Sequence, residues 1–275
     1  MKVALTGSGG MLGHEVKNVF NDVDLIALTR QDFDITDLDK TFSVIKEMRP
    51  DYLIHAAAYT DVDGSENDPY KAYLVNGIGT RNLTMACEYV RCPIVYISSD
   101  YVFDGTKKDP YDEWDITSPV NQYGFSKLMG EKFVSSMTNR FYIIRTSWLY
   151  GKKGKNFVDT IGTLLAEKEE IEVVNDQVGS PTYTYDLARR VRELVGKGYG
   201  TYHITNSSHC SWFEFAAEIA KLKSSKIKIK PTSSDKFKRP AKRPAFSVLN
   251  CTMLKLEGLY ELRHWKDALK DYLGS

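Results

Sequence analysis

The chain contains 275 residues, of which 42% are hydrophobic and 27% are charged, and this composition excludes an intrinsically disordered protein. Its 37 Lys and Arg residues nearly balance its 36 Asp and Glu residues, so the formal net charge is +1 and neither nucleic acid nor an anionic membrane is expected as the main partner. No apolar run reaches the roughly 20 residues that cross a bilayer and the N-terminus is too short in apolar length for a signal peptide, so the sequence predicts a cytoplasmic protein.

Short apolar runs alternate with amphipathic stretches over the first two-thirds of the chain. The runs predicted to be strands are residues 3–5, 25–28, 52–54, 94–97 and 142–144. The stretches predicted to be helices are residues 11–20, 38–48, 70–90 and 123–137. Each apolar run is nearly unbroken, which is typical of a parallel strand covered on both faces. The pattern therefore predicts an α/β protein with a doubly wound, Rossmann-like parallel sheet.

The alternation loosens after about residue 150. Further strands are predicted at residues 171–174 and 202–204, and further helices at residues 157–168, 185–194 and 212–222. We expect residues 1–150 to form a dinucleotide-binding Rossmann domain. Residues 151–275 are expected to form mainly a smaller C-terminal α/β substrate-binding region, with some elements returning to the Rossmann sheet and a ligand cleft between the two parts.

Metal, disulfide and hydrolase chemistry find no support in the sequence. Four cysteines (Cys87, Cys92, Cys210 and Cys251) form no C-x-x-C pair, and we expect them to be reduced. The five histidines are scattered, so no metal site is predicted. The G-x-S-x-G and H-E-x-x-H motifs of serine hydrolases and zinc enzymes are absent from the sequence.

A glycine-rich segment, Gly7-Ser-Gly-Gly-Met-Leu-Gly13, follows the first predicted strand and begins the first helix. Gly7 permits a tight turn, Gly10 lets a diphosphate approach the backbone, and Gly13 lets helix and strand pack closely. The N–H groups at the start of the helix then face the anion. The spacing G-x-x-G-x-x-G differs from the standard G-x-G-x-x-G, and the alternative interpretation is an ordinary strand-to-helix turn.

The second predicted strand is followed by Thr29-Arg30, where a fold that binds NAD normally carries an acidic residue. An arginine there suits a 2′-phosphate, so NADP(H) is the preferred cofactor and NAD(H) is the second option. Asp34 lies close enough in sequence to reach the adenine. The alternative is a solvated arginine with no ligand.

Tyr123 and Lys127 are four residues apart on a predicted helix and therefore share one face. We expect the lysine to lower the pKa of the tyrosine toward neutrality, which makes the phenol a useful acid–base group. Ser98 and Ser99 follow the fourth predicted strand, at the edge of the sheet where such folds bind ligands. A tyrosine–lysine pair by itself is common on helix surfaces, but here it accompanies the glycine-rich segment and the serines.

With these motifs the chain resembles the extended short-chain dehydrogenase/reductase superfamily and, within it, the dTDP-4-dehydrorhamnose reductases. The segments that carry the resemblance are Ala56–Asp63, Ser98–Phe103, Tyr123–Lys127, Arg145–Gly151, Asn175–Thr182 and Arg243–Asn250. The family's S-T-D-Y-V-F motif corresponds to Ser98–Phe103, with Ser99 in place of the usual threonine. Its Y-x-x-x-K motif corresponds to Tyr123–Lys127. His55 departs from the asparagine that relatives often have, which puts its contact with the cofactor in doubt.

The resemblance implies NAD(P)H-dependent reduction of the 4-keto group of a nucleotide-linked deoxysugar, namely conversion of dTDP-4-dehydrorhamnose to dTDP-rhamnose. It implies Tyr123 as proton donor, Lys127 as the residue that orients the nicotinamide ribose, and Ser99 as the partner of the reacting oxygen. The expected cofactor-binding residues are Gly7, Gly10, Met11, Leu12, Gly13, Arg30, Asp34, Ala56, Ala57, Tyr59, Asn76 and Lys127. The expected substrate-binding residues are Thr60, Val62, Asp100, Tyr123, Trp148 and Arg243.

Residues 221–243 contain ten Lys or Arg and one acid, Asp235, and the end of this segment, Arg239 and Arg243, is expected to hold the nucleotide diphosphate. Two other functions stay open. The first is a non-catalytic NADP-binding regulatory subunit, as in the β subunit of methionine adenosyltransferase, which the fold resembles. The second is a nucleotide-sugar epimerase or dehydratase, for which Asp100 occupies the position of the added acid. The sequence leaves open the identity of the sugar and whether the protein is a homodimer.

Overall fold

The computed structural model describes residues 1–274. Its strands are β1 (Lys2–Thr6), β2 (Asp24–Leu28), β3 (Tyr52–His55), β4 (Ile94–Ile97), β5 (Phe141–Arg145), β6 (Leu149–Tyr150), β7 (Glu170–Val174), β8 (Val178–Gly179), β9 (Thr182–Tyr183), β10 (Gly200–His203), β11 (Asn206–Ser207), β12 (Cys210–Ser211), β13 (Lys228–Thr232) and β14 (Leu262–His264). Its α-helices are α1 (Met11–Val19), α2 (Leu38–Met48), α3 (Val62–Asn67), α4 (Pro69–Tyr73), α5 (Thr80–Val90), α6 (Gln122–Met137), α7 (Phe157–Glu167), α8 (Thr184–Leu194), α9 (Trp212–Leu222), α10 (Thr252–Leu256) and α11 (Trp265–Gly274). A π-helical segment (Leu74–Gly79) joins α4 to α5, and short 3-10 turns lie at Asp100–Val102 and Ser234–Lys236.

Six parallel strands form the central sheet in the order β2-β1-β3-β4-β5-β10, which confirms the predicted Rossmann-like architecture. The strand order reverses at β1, because β2 lies on one side of it and β3 on the other. Connections that leave the carboxyl ends of β1 and β3 run in opposite directions and open a crevice between them. The sheet therefore places the segments after β1, β3 and β4 around one ligand-sized space.

The core explains why the strands were recognisable from their apolar runs. All four residues of β4 are buried, and β1 buries Val3, Ala4 and Leu5 completely. One face of the sheet packs against α1 and α8, and the other against α2, α5 and α6. A separate core of Tyr, Phe and Trp side chains joins α7, α9 and α11 to the short sheet of β7 and β13.

The helix predicted at residues 70–90 is confirmed, because these residues are helical throughout, but its hydrogen-bond register changes in the middle. Three helical segments follow each other there, and the middle one is the π-helical Leu74–Gly79. A Cβ at Gly79 would lie 2.7 Å from the side chain of Ile35, so Ile35 packs directly against the backbone of this segment. The π-helical segment carries Asn76 into the protein interior.

Strand β10, although it comes late in the chain, forms the edge of the central sheet by pairing with β5. The domain boundary at residue 150 stays a prediction. All four cysteines are buried and free. Among residues 1–274, no helix combines the length and apolar character that a membrane span requires.

Candidate active site

A cleft of about 570 Å³ lies at the carboxyl ends of β1, β3 and β4, within the size range of small-ligand and cofactor sites. Its lining includes the glycine-rich segment, the residues that end and follow β2, residues 56–60, Ser98, Tyr123 and Lys127, whereas Ser99 does not line it. Among the predicted residues it contains Gly7, Gly10, Met11, Leu12, Gly13, Arg30, Asp34, Ala56, Ala57, Tyr59, Thr60, Tyr123 and Lys127. The cleft thus brings together most of the residues that the sequence assigned to cofactor binding and catalysis.

The glycine-rich segment is built as its spacing predicted. Gly7 has a left-handed φ of 76°, and a Cβ there would lie 2.5 Å from the backbone nitrogen of Ala57. A Cβ at Gly13 would lie 2.3 Å from the carbonyl oxygen of Gly7, whereas a Cβ at Gly10 would meet no protein atom closer than 3.5 Å. Gly10 therefore presents bare backbone to the cleft rather than to the protein.

Gly10 is also the N-cap of α1, and no side chain caps this helix. The backbone N–H groups of the first turn, which begins at Met11, are free to bind an anion. A diphosphate fits this arrangement, because it requires close approach to backbone and exposed N–H groups. The residues present therefore fit a dinucleotide.

Arg30 lies at the end of β2 and is exposed, with its Nη2 3.1 Å from Oδ2 of Asp34. The other carboxylate oxygen of Asp34 accepts hydrogen bonds from the backbone and hydroxyl of Thr36. Both carboxylate oxygens are thereby engaged, so Asp34 orients the guanidinium of Arg30. Its expected contact with the adenine stays a prediction.

Asn76 does not line the cleft, although the sequence assigned it to the cofactor. Its buried side chain accepts a hydrogen bond from the backbone N–H of Tyr59 at 2.8 Å and donates to the Tyr59 carbonyl at 2.9 Å. Its second amide hydrogen goes to the hydroxyl of Ser126, which precedes Lys127 on α6. Asn76 therefore fixes the Tyr59 segment against α6 and acts on the cleft through those neighbours.

His55 is buried at the end of β3, between the hydroxyls of Thr6 (2.8 Å) and Thr80 (3.0 Å). Burial, and then the charge of Lys127, lower its pKa to about 3, so the imidazole is neutral. Both ring nitrogens are occupied by protein hydroxyls. His55 links β1, β3 and α5, and no ring nitrogen is left for the cofactor.

Tyr123 and Lys127 lie in the first two turns of α6, which is capped by the side chain of Asn121. Lys127 is buried, donates a hydrogen bond from Nζ to the carbonyl of Ile97 at 2.7 Å and lies over the ring of Tyr96. This carbonyl belongs to the last residue of β4 and adjoins Ser98. The hydrogen bond therefore ties the lysine to the strand that carries both serines.

The pKa of Tyr123 was expected to be lowered, and this was wrong, because its pKa is raised by groups other than Lys127. Burial, together with the charge of Asp100, raises the pKa of Tyr123 to about 12, and interaction with the Ser99 hydroxyl opposes this. Burial lowers the pKa of Lys127 to about 7. The sequence could not reveal that both side chains would be desolvated. A raised pKa keeps the phenol protonated at neutral pH, which is the form that a proton donor needs.

Asp100 is buried beneath this group and does not line the cleft, and its assignment as a substrate contact stays a prediction. Ser99 donates a hydrogen bond to Oδ1 of Asp100 at 2.9 Å. Burial raises the pKa of Asp100 to about 7, an effect that interactions with Ser247 and Ser99 oppose. Asp100 therefore orients the hydroxyl of Ser99, and its negative charge raises the pKa of Tyr123.

Besides Asp100, three predicted substrate residues lie outside the cleft lining, namely Val62, Trp148 and Arg243. Val62 is the first residue of α3. Trp148 has a φ of 47° and stacks on Trp212 with ring centroids 3.5 Å apart, so it belongs to a packed aromatic pair. This packing places one face of the Trp148 ring against Trp212, and its expected contact with the substrate stays a prediction.

Arg243 donates to Oδ1 of Asp63 at 2.6 Å, and Arg239 lies 3.3 Å from the other oxygen of the same carboxylate. Hydrogen bonding to Arg243 lowers the pKa of Asp63 to about 2. The two arginines thus hold the C-terminal segment against α3. They are not a free pair of cations, as the sequence had suggested.

The sequence did not reveal a buried ion pair behind the site. The carboxylate of Glu131 accepts a hydrogen bond from Ser98 at 2.5 Å and pairs with Arg145 at 2.8 Å. Glu131 lies one turn beyond Lys127 on α6, and the i+4 spacing is the only sequence signal that could have identified it. Lys153 and Lys155 also line the cleft and were missed.

The sequence model of the family described as "RmlD substrate binding domain" matches residues 1–275. A spore coat polysaccharide biosynthesis protein of Bacillus subtilis, SpsK, is 40% identical over 99% of this chain and 96% of its own length. The crystal structure of a dTDP-4-dehydrorhamnose reductase of Clostridium acetobutylicum is 43% identical, with a TM-score of 0.98 over 100% of this chain and 99% of that one. That of the Bacillus anthracis enzyme in complex with NADP is 42% identical, with a TM-score of 0.97 over 99% of both chains.

Proposed function

This chain belongs to the family described as RmlD substrate binding domain, and from that membership we propose that it reduces dTDP-4-dehydrorhamnose to dTDP-rhamnose with NADPH. The resemblance predicted from the sequence is confirmed. The observation that carries the function is the position of Tyr123 and Lys127 in the same cleft as the glycine-rich segment and Arg30, with Ser99 interacting with Tyr123.

The cofactor is NADP(H), with NAD(H) as the second option. We propose that the glycine-rich segment and the first turn of α1 bind its diphosphate, that Arg30 binds the 2′-phosphate, and that Ala56 and Ala57, which adjoin Gly7, and Tyr59 line the cleft beside it. When bound, the nicotinamide supplies the hydride for the carbonyl carbon.

Residues of this chain supply the proton that the keto oxygen receives. Tyr123, protonated at neutral pH, donates its hydroxyl proton to the keto oxygen as charge develops there. Ser99 donates its single hydroxyl hydrogen to Asp100 in this structure, and we propose that with substrate bound the hydroxyl rotates and donates that hydrogen to the keto oxygen instead. Lys127 lies one helical turn from Tyr123, and its charge stabilises the phenolate that remains until solvent returns the proton.

For the substrate we retain Thr60 as a contact in the cleft and Arg243 as a contact at its margin. The ring of Tyr101 lies edge-on to that of Tyr123 with centroids 5.8 Å apart, and Arg243 interacts with Tyr101. A sugar at Tyr123 therefore brings its diphosphate within reach of Arg243. Val62 and Trp148 stay predictions, as do the homodimer and the cytoplasmic location.

The experiment that tests the function is turnover of dTDP-4-dehydrorhamnose with NADPH, with both nucleotide sugars and both cofactor forms quantified. We expect one NADPH to be oxidised for each dTDP-rhamnose formed. Conversion of the sugar without net oxidation of the cofactor would point to an epimerase or dehydratase. Binding of NADPH with no turnover, and co-purification with a synthetase, would point to a regulatory subunit.

A further inference from the structure

The loop between β6 and α7, residues 151–156, exposes three lysines that neither the sequence motifs nor the proposed reaction uses. We call it the lysine loop. Lys153 and Lys155 line the cleft together with Gly154, whereas Lys152 does not. The loop lies near the middle of the chain, far from the glycine-rich segment in sequence, and reaches that segment only through the tertiary fold.

A single buried side chain holds the lysine loop in shape. The amide of Asn156 donates hydrogen bonds to the carbonyl oxygens of Gly151 at 3.0 Å and Gly154 at 3.3 Å. Its Oδ1 accepts the backbone N–H of Asp159 at 3.0 Å and caps α7. Both ends of the loop are therefore fixed to a helix that is itself packed into the second core, so the exposed lysines project from an ordered base.

The loop also rests directly on the start of α1. A Cβ at Gly154 would lie 2.5 Å from Cγ of Met11, the first residue of that helix. Lys153, just before it, has a left-handed φ of 65°, a backbone conformation that is unfavourable for a residue other than glycine. The backbone thus accepts strain in a conformation that puts Lys153 and Lys155 on the cleft side.

These lysines carry charge that the protein does not neutralise. Within residues 1–274, neither Lys153 nor Lys155 has an acidic group within the 4.0 Å of an ion pair. The charged side chains that line the cleft are the cations Arg30, Lys71, Lys127, Lys153 and Lys155 and one acid, Asp34, which already pairs with Arg30. The unbalanced charge favours an anionic ligand.

We propose that Lys153 and Lys155 bind the diphosphate of the dinucleotide together with the glycine-rich segment. The contact between Gly154 and Met11 places them at the start of α1, where the proposed function puts the diphosphate, and not at the end of β2. The proposal rests on the proposed function for the presence of the dinucleotide. It adds a second set of phosphate contacts, supplied by residues outside the Rossmann motif.

The test compares NADPH and NADH binding to the full chain by fluorescence titration, without sugar. For Lys153→Gln/Lys155→Gln we expect both dissociation constants to rise by a similar factor, about tenfold or more, because both dinucleotides carry the diphosphate. The salt dependence of binding should weaken in parallel, since two cations are removed. Lys152→Gln is the matched control and should bind both dinucleotides like the unaltered chain.

Arg30→Ala distinguishes the two phosphate sites, because it should weaken NADPH binding and leave NADH binding unchanged. Unchanged affinities in the double variant would overturn the proposal, and so would a loss confined to NADPH, since that would assign the lysines to the 2′-phosphate. If the unaltered chain binds neither dinucleotide, the proposed function fails instead. The side chains of both lysines are exposed, and an unchanged thermal midpoint will confirm that the double variant is folded.

Discussion

Replacing Tyr123 by phenylalanine is expected to lower kcat for reduction of the keto sugar by about 10³-fold, within the range that general acid catalysis contributes. The phenol is the proton donor in the proposed reaction, and burial keeps it protonated at neutral pH. Phenylalanine preserves the ring and its edge contact with Tyr101 but has no proton to give. Binding of NADPH should change by less than about twofold, because the hydroxyl is not one of the proposed phosphate or ribose contacts.

The measurement is steady-state oxidation of NADPH at saturating sugar, together with a separate titration of NADPH binding. Tyr260→Phe provides the control, since Tyr260 is 88% exposed and lies away from the cleft lining. We expect this variant to retain full activity. A Tyr123→Phe enzyme as fast as the unaltered one would remove the phenol from the chemistry and require another proton source.

Replacing Gly13 by alanine is expected to destabilise the fold by about 3 kcal/mol or to prevent folding, which is at or above the upper end of overpacking costs. The new Cβ would lie 2.3 Å from the carbonyl oxygen of Gly7 and 2.7 Å from Cα of Ser8. These atoms belong to the backbone, and Gly7 itself packs against the backbone of Ala57. The glycine turn therefore cannot move away from the new Cβ without a large energetic cost. The helix α1 would have to separate from the loop that begins the phosphate site.

Urea denaturation followed by circular dichroism measures this effect through the unfolding midpoint. The matched control is Gly9→Ala in the same segment, where a Cβ would meet no protein atom within 4 Å. Gly9→Ala should unfold within about 0.5 kcal/mol of the unaltered chain. Equal stability of the two variants would contradict the close packing of α1 on the glycine-rich segment.

The parts of the fold that were predictable are those whose signal is local. Runs such as Ile94–Ile97 are buried on both faces, so their composition alone identifies strands of a covered parallel sheet. The π-helical Leu74–Gly79 left no such signal, because its apolar spacing resembles that of the helices on either side. The two-residue strands such as β6 and β9 are too short for any periodicity to appear.

The residues of the site were likewise predictable only where the signal is local in sequence. The glycine-rich segment and the Tyr123–Lys127 pair depend on residues that are neighbours in sequence, and both lie where the pattern predicted. The ion pair of Arg243 with Asp63 joins residues 180 positions apart, and the hydrogen bond of Ser98 with Glu131 joins residues 33 positions apart. No local pattern specifies either partner. The pKa of Tyr123 was predicted in the wrong direction for the same reason, since burial is a property of the folded chain.

The central claim is that a dinucleotide lies in this cleft with its nicotinamide beside Tyr123, and a crystal structure of the chain with NADP tests it most directly. The account predicts that diphosphate oxygens accept hydrogen bonds from the N–H groups that follow Gly10. It also predicts that the reactive C4 of the nicotinamide and the Tyr123 hydroxyl face the same space, with C4 within about 4 Å of the substrate's carbonyl position there. A nicotinamide bound away from Tyr123, or a tyrosine hydroxyl directed out of the cleft, would contradict it.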